Sequence, residues 1–220
     1  MPQPEFKIGS ITVHFYGIFI SLGLIFWYLY LKSILKRTSE SLYLDSIVMI
    51  SLVSALIGAR TYHVLSSFSY YRIYPAEILY FWQGGLGIFG AILGGFLGTL
   101  AYCKYKKIGI TPYLNAAFPP LLMAQAIGRI GNFFNNEGFW QESIFCFIAF
   151  ILYLLILKKF DSKKFGFSYY LISYGLIRFF TEFIRTDTWV IFGFHLAHLL
   201  SIIFIVCGFF LLTIVFKRIK

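Results

Sequence analysis

The sequence predicts an all-α, polytopic membrane protein of about seven transmembrane helices, with its amino terminus outside and its carboxyl terminus cytoplasmic. Three observations predict it. Apolar residues make up 59% of the 220 residues, aromatic residues 21% and charged residues only 13%, far from the balance of a domain that folds in water. Apolar stretches long enough to cross a bilayer, which takes about 20 residues, recur at roughly 12–31, 44–66, 84–103, 113–134, 143–158, 168–185 and 189–216. Basic residues alternate between the connections: 13 of the 19 Lys and Arg fall after the odd-numbered runs, where the positive-inside rule puts the cytoplasm.

Taken in order, the first run opens outside on "HFYG", with His14 and Tyr16, and closes on Lys32, Lys36 and Arg37. The second travels outward and meets Arg60 in its outer third, ahead of Arg72 in the connection. The third, "QGGLGIFGAILGG", carries Gly84, Gly85, Gly87, Gly90, Gly94 and Gly95 and ends at Lys104, Lys106 and Lys107. Small residues at that spacing serve either close helix packing or ligand access. The fourth run travels outward into "GRIGNFFNNEGFW", where Arg129, Asn132, Asn135, Asn136 and Glu137 interrupt the apolar pattern.

The fifth run is short and fits a bilayer once Lys158 and Lys159 reach out of the hydrocarbon. The sixth travels outward with Arg178, Glu182 and Arg185 in its last two turns. The seventh starts outside with His195 and His198 and ends in Lys217, Arg218 and Lys220. Residues 1–220 thus read as a single integral membrane domain, without a basic region before the first run to mark a cleaved signal peptide. The net charge of +10 reports topology, and its distribution gives no patch for nucleic acid. Cys103, Cys146 and Cys207 stand singly in apolar runs with no metal-ligand spacing, so no metal and no cofactor is expected.

Charged groups inside a membrane cost at least a few kcal/mol each, so their depth carries information. On this topology Arg60, Arg129, Arg178, Glu182, His14 and His198 all fall in the outer half, and the inner half holds only uncharged polar residues such as Ser51, Thr99, Asn115 and Gln125. A conduit needs polar groups through both halves; a site open to the outer leaflet does not. Arg178 and Glu182 share a helical face, and either neutralise one another for insertion or belong to a site. Glu137 and Glu182 do not balance Arg60, Arg129 and Arg178, which leaves room for an anion such as a phospholipid headgroup, whose oxygens guanidinium forks match in pairs. The amides of Asn132 and Asn135 add bonds to phosphate or glycerol hydroxyls.

Together these stretches resemble the prolipoprotein diacylglyceryl transferase family. Its signature is similar to Gly128, Arg129, Gly131, Asn132, Asn135 and Glu137; "HFYG" resembles its opening motif, giving His14 and Tyr16; "YGLIRFFTEFIR" resembles its second arginine–glutamate motif, giving Arg178, Glu182 and Arg185. "GARTY" and "WQGGLGIFG" resemble the segments around Arg60 and residues 84–90. The resemblance implies an enzyme of the bacterial plasma membrane that moves the diacylglyceryl group of phosphatidylglycerol to the lipobox cysteine of a prolipoprotein signal peptide. A thioether forms and glycerol phosphate leaves.

On that reading Arg129 and Arg178 hold the phosphate, while Asn132, Asn135 and Glu137 position the headgroup. Tyr16 lines the lipid site, and Arg60, Gly84, Gly85, Glu182 and Arg185 complete the substrate-binding set. The sequence departs from the family at Phe89, where relatives carry a catalytic histidine or tyrosine, at Trp140 in place of glycine, and in residues 138–142, which replace a longer outer segment. His198 aligns with a family glutamine. With Phe89 unable to move a proton, His14 or His198 becomes the expected proton acceptor, each being otherwise an interhelical packing residue. The departures keep two other readings open: transfer to a different acceptor, or an inactive phospholipid-binding scaffold.

Overall fold

The computed structural model describes residues 5–8, 11–134, 140–157, 162–184, 190–191 and 194–219. Its long helices are α1 (Phe15–Leu35), α2 (Ser41–Ser66), α4 (Ile88–Lys106), α5 (Thr111–Phe134), α6 (Trp140–Leu157), α7 (Ser162–Glu182) and α8 (Leu196–Ile219), with a short α3 (Phe68–Ile73) after α2. Each long helix coincides with one apolar run. Five of the long helices are long and apolar enough to cross a membrane: Gly17–Leu35, Ser41–Ser66, Ile88–Lys106, Trp140–Leu157 and Leu196–Lys217. Only 11% to 28% of each of those spans is buried within the protein, leaving leucines, isoleucines and phenylalanines facing outward. So much exposed apolar surface suits lipid and not water, and the chain is a multi-pass membrane protein. The two long helices outside that set, α5 and α7, carry Arg129, Asn132, Arg178 and Glu182.

The run boundaries shift in three places. The third run was expected to be helical from residue 84, but Gly84 and Gly85 have φ of 89° and 68° and precede α4. Positive φ is incompatible with a right-handed helix and is tolerated here because glycine has no Cβ. α6 starts at Trp140 and so takes Glu142 into its first turn. His14 and His195 end strands instead of entering helices. β1 (Glu5–Ile8) pairs antiparallel with β2 (Ile11–His14), and β3 (Val190–Ile191) with β4 (Phe194–His195). These two ribbons are too short to show in a pattern dominated by apolar runs.

The chain divides into two compact units, Met1–Arg37 with Pro112–Lys220, and Thr38–Thr111. In the second, α2 and α4 touch backbone to backbone. A Cβ on Gly90 would collide with the Gly58 carbonyl, and one on Gly94 with the Ser54 carbonyl. The glycine run therefore serves helix packing along this face. Gly90→Ala should lower the thermal stability of the detergent-solubilised protein by about 1–3 kcal/mol, the usual cost of overpacking. Gly17→Ala, where nothing lies within 4 Å, should leave the melting temperature unchanged or raised.

The first unit packs α1, α5, α6, α7 and α8. Leu122, Phe150, Tyr153, Tyr170 and Leu171 form a core against which Phe26 and Tyr30 pack. Hydrogen bonds cross it: Trp27 Nε1 donates to the Ala117 carbonyl at 2.7 Å, Ser143 Oγ to the Ala126 carbonyl at 2.7 Å and Tyr169 OH to the Ala149 carbonyl at 2.6 Å. Pro119 and Pro120 lie inside α5, and Pro119 deprives the Asn115 carbonyl of its helical donor. That carbonyl lies against Gly166 of α7, while the Asn115 side chain accepts from the Phe167 N–H at 2.9 Å. A proline pair in a membrane helix is tolerated where a neighbouring helix takes up the freed groups.

Candidate functional site

Four charged side chains meet in the first unit. Arg129 stands near the end of α5, Glu142 in the first turn of α6, and Arg178 and Glu182 in the last turns of α7. Arg129 Nη2 lies 3.0 Å from Glu142 Oε1, Arg178 Nη1 lies 3.7 Å from Glu142 Oε2, and Arg178 Nη2 lies 3.1 Å from Glu182 Oε2. The carboxylate of Glu142 thus divides its two oxygens between arginines from two helices.

Exposure within the quartet is unequal. The Glu142 and Glu182 side chains are each 1% exposed, whereas Arg129 and Arg178 keep 24% and 22%. The acids are enclosed and the arginines partly exposed, with Arg178 Nη1 itself buried. The neighbouring layer is closed by Gln125 Nε2 donating to Tyr170 OH at 2.9 Å and by Tyr170 stacked on Tyr174, ring centroids 5.5 Å apart.

Among the described residues two arginines face two glutamates here, and Glu142 is an acid that the charge count from the sequence does not include. From the sequence it reads as part of the connection before the fifth run. The sequence shows only that Arg129 has no acid within four residues on its own helix, and no local pattern says which acid comes near it. The ion pair of Arg178 with Glu182 is present, as the spacing of four residues implied.

The other expected residues are distributed as follows. Asn132 lies in the last turn of α5, His14 ends β2 and Tyr16 is the second residue of α1, with side chains outside the described set. Asn135, Glu137 and Arg185 also lie outside the described residues. His198 occupies the first turn of α8, its ring 4.9 Å from Phe179 and 4.7 Å from Phe183. Its Nε2 is buried without a hydrogen-bond partner among the described residues.

Arg60, Gly84 and Gly85 belong to the second unit. Arg60 Nε donates to the Ile78 carbonyl at 2.9 Å, Nη1 to the carbonyls of Gly84 and Gly85 at 2.8 and 3.1 Å, and Nη2 to the Glu77 carbonyl. Its Cζ lies 5.2 Å from the centre of the Tyr71 ring. One guanidinium thereby ties the 3-10 turn Pro75–Leu79 to the glycine pair that follows the second such turn, Phe81–Gln83. Tyr70 OH donates to Glu77 Oε2 at 2.7 Å, a bond that is the main cause of a phenol held above its ordinary pKa. His63, which the sequence did not single out, packs edge-on to Tyr71 at 5.8 Å. Phe89 faces Tyr62, ring centroids 6.1 Å apart.

Comparison with known proteins identifies the family. A profile described as prolipoprotein diacylglyceryl transferase matches residues 4–214. The chain is 31% identical to the phosphatidylglycerol–prolipoprotein diacylglyceryl transferase of Clostridium novyi (strain NT), covering 96% of this chain and 95% of that protein. It is 33% identical to the protein of that name from Clostridium botulinum (strain Langeland / NCTC 10281 / Type F), covering 98% and 97%. For the one from Streptococcus equi subsp. zooepidemicus (strain MGCS10565) the identity is 31%, covering 97% and 93%. The Clostridium alignments extend over 245 and 248 positions against a chain of 220 residues, so those relatives carry residues this chain lacks. The chain belongs to the prolipoprotein diacylglyceryl transferase family.

Proposed function

We propose that this protein transfers the diacylglyceryl group of phosphatidylglycerol to the lipobox cysteine of a membrane-inserted prolipoprotein signal peptide. The family match over nearly the whole chain carries the reading. The thiol sulfur attacks the diacylglyceryl carbon that bears the phosphate, a C–S bond forms, and the bond from that carbon to the phosphate ester oxygen breaks. The headgroup departs as glycerol phosphate, gaining a negative charge as it goes. Preorganised guanidinium groups stabilise charge that develops in this way, and Arg129 and Arg178 are the pair so placed. Asn132, Asn135 and Glu137 orient the glycerol headgroup. Tyr16, Glu182 and Arg185 complete the binding residues of the first unit, and Arg60, Gly84 and Gly85 are binding residues of the second.

The seven long helices all cross the plasma membrane of a bacterium, as one integral domain, with the amino terminus outside. Incubating the purified protein with phosphatidylglycerol and a lipobox peptide should yield a diacylglyceryl-peptide adduct and free glycerol phosphate by mass spectrometry. Neither product forming would sink the proposal. The gap between a chain of 220 residues and alignments of 245 favours a second reading, transfer to another acceptor. Adduct on a membrane thiol other than the lipobox peptide, with glycerol phosphate still released, would select it.

A thiol of pKa about 8.5 is mostly protonated at neutral pH, so a base assists the attack. His14 or His198 takes that proton. His198→Gln should slow transfer roughly 10- to 100-fold at pH 7 if His198 is the acceptor. The loss should shrink by pH 9, where the thiolate forms unaided. His14→Gln is the matched comparison. Unchanged pH–rate profiles in both would take histidine out of the mechanism.

A further inference from the structure

Glu142 is absent from the residues that the sequence assigns to the site, yet it is the centre of the charged group. Arg178 already has Glu182 one turn along its own helix at 3.1 Å. Neutralising Arg178 for life in a membrane therefore does not require a second acid. What Glu142 adds is geometric: its Oε1 takes Arg129 of α5 at 3.0 Å and its Oε2 faces Arg178 of α7 at 3.7 Å.

The separation of the two guanidinium groups is thus set by the width of one carboxylate. That width is close to the edge of a phosphate, which is why arginine forks bind either group. Each guanidinium carries five N–H donors: on Arg129 only Nη2 faces a glutamate, whereas on Arg178 both Nη1 and Nη2 do and Nη1 is buried, so Arg129 keeps the larger share of its donors for a ligand. The carboxylate is 1% exposed and the arginines 24% and 22%, so an approaching headgroup meets donors and not the acid. Burial also fixes the position, because a side chain enclosed by α5, α6 and α7 has few rotamers open to it.

We propose that Glu142 is a positioning residue that spaces Arg129 and Arg178 for the phosphate of phosphatidylglycerol; this rests on the transferase reading above. The neutral quartet also explains how such a cationic pair is held in a membrane at low cost. Its charges cancel before the lipid arrives, while the outward N–H groups stay available.

The test compares wild type, Glu142→Gln and Glu142→Asp in nanodiscs of phosphatidylglycerol diluted into phosphatidylcholine, with a lipobox peptide as acceptor. Each variant is also made in the Arg129→Lys background. Glutamine keeps the size of glutamate but turns a donor toward one of the guanidinium groups. Glu142→Gln should lower kcat/KM for phosphatidylglycerol about 100-fold, the scale of a misplaced catalytic group, and Glu142→Asp should recover part of it.

In the Arg129→Lys background the same change should cost less than about 3-fold, because the spacing of the two guanidinium groups is already lost with one of them. Wild-type kinetics in Glu142→Gln would overturn the proposal. So would a loss that multiplies in full in the double variant, which would make Glu142 merely structural. Should Glu142→Gln fail to accumulate, Glu142→Asp carries the same cycle. A wild-type protein that transfers nothing from phosphatidylglycerol would remove the transferase reading, and this inference with it.

Discussion

Arg129→Lys and Arg178→Lys should each lower turnover roughly 100- to 1,000-fold, the range seen when a preorganised donor to a developing anion is lost. Both variants keep the charge, so membrane insertion and the formal neutrality of the quartet survive. What they lose is shape. A guanidinium can face a buried glutamate with one edge and a phosphate with another, whereas an ammonium is a point charge with three donors on a flexible stem. At Arg129 the edge facing Glu142 is 3.0 Å from the carboxylate, and a lysine making that contact has nothing planar left to offer a ligand. The effect should appear in kcat at saturating phosphatidylglycerol, with protein amount matched by immunoblot. Wild-type turnover in both variants would reduce the arginines to structural ion pairs.

Arg60→Gln should destabilise the second unit by about 3 kcal/mol, and Arg60→Lys by nearly as much. Four carbonyls, those of Glu77, Ile78, Gly84 and Gly85, converge on one guanidinium. Hydrogen bonds from a charged donor contribute about 1.5–3 kcal/mol each, reduced here by the exposure of the glycine pair. Neither glutamine nor lysine reaches acceptors in the turn Pro75–Leu79 and at the glycine pair at once. The melting temperature in detergent should fall and proteolysis should appear within residues 75–87, while Lys106→Gln at the far end of α4 leaves both unchanged. A wild-type melt and cleavage pattern in Arg60→Lys would show that charge alone, without the fork, holds the segment.

The helices of this protein are legible in its sequence because a run of about 20 apolar residues has few uses other than crossing a bilayer or filling a large core. Their ends are less so. Gly84 and Gly85 look like part of a small-residue helix face, and only their positive φ, set by the carbonyls that turn toward Arg60, takes them out of it. Trp140 to Glu142 read as a connection because a glutamate next to a turn is ordinarily solvated; here it is drawn inside by two arginines on other helices.

The pairing of Arg178 with Glu182 could be read from spacing, since residues four apart on a helix are neighbours. That of Arg129 with Glu142 could not, because the distance between α5 and α6 at that depth depends on packing that no local pattern encodes. The same holds for His198, whose place between Phe179 and Phe183 follows from how α8 lies on α7. The two small ribbons were hidden for a different reason: β2 and β4 each run without a break into a long apolar helix.

Where the phosphate of phosphatidylglycerol binds decides the mechanism. An electron cryomicroscopy map of the protein in phosphatidylglycerol nanodiscs should show headgroup density between Arg129 and Arg178, its oxygens about 3 Å from guanidinium nitrogens of both, with Glu142 on the opposite side of the pair. Headgroup density elsewhere, with the two arginines contacting only their glutamates, would contradict it.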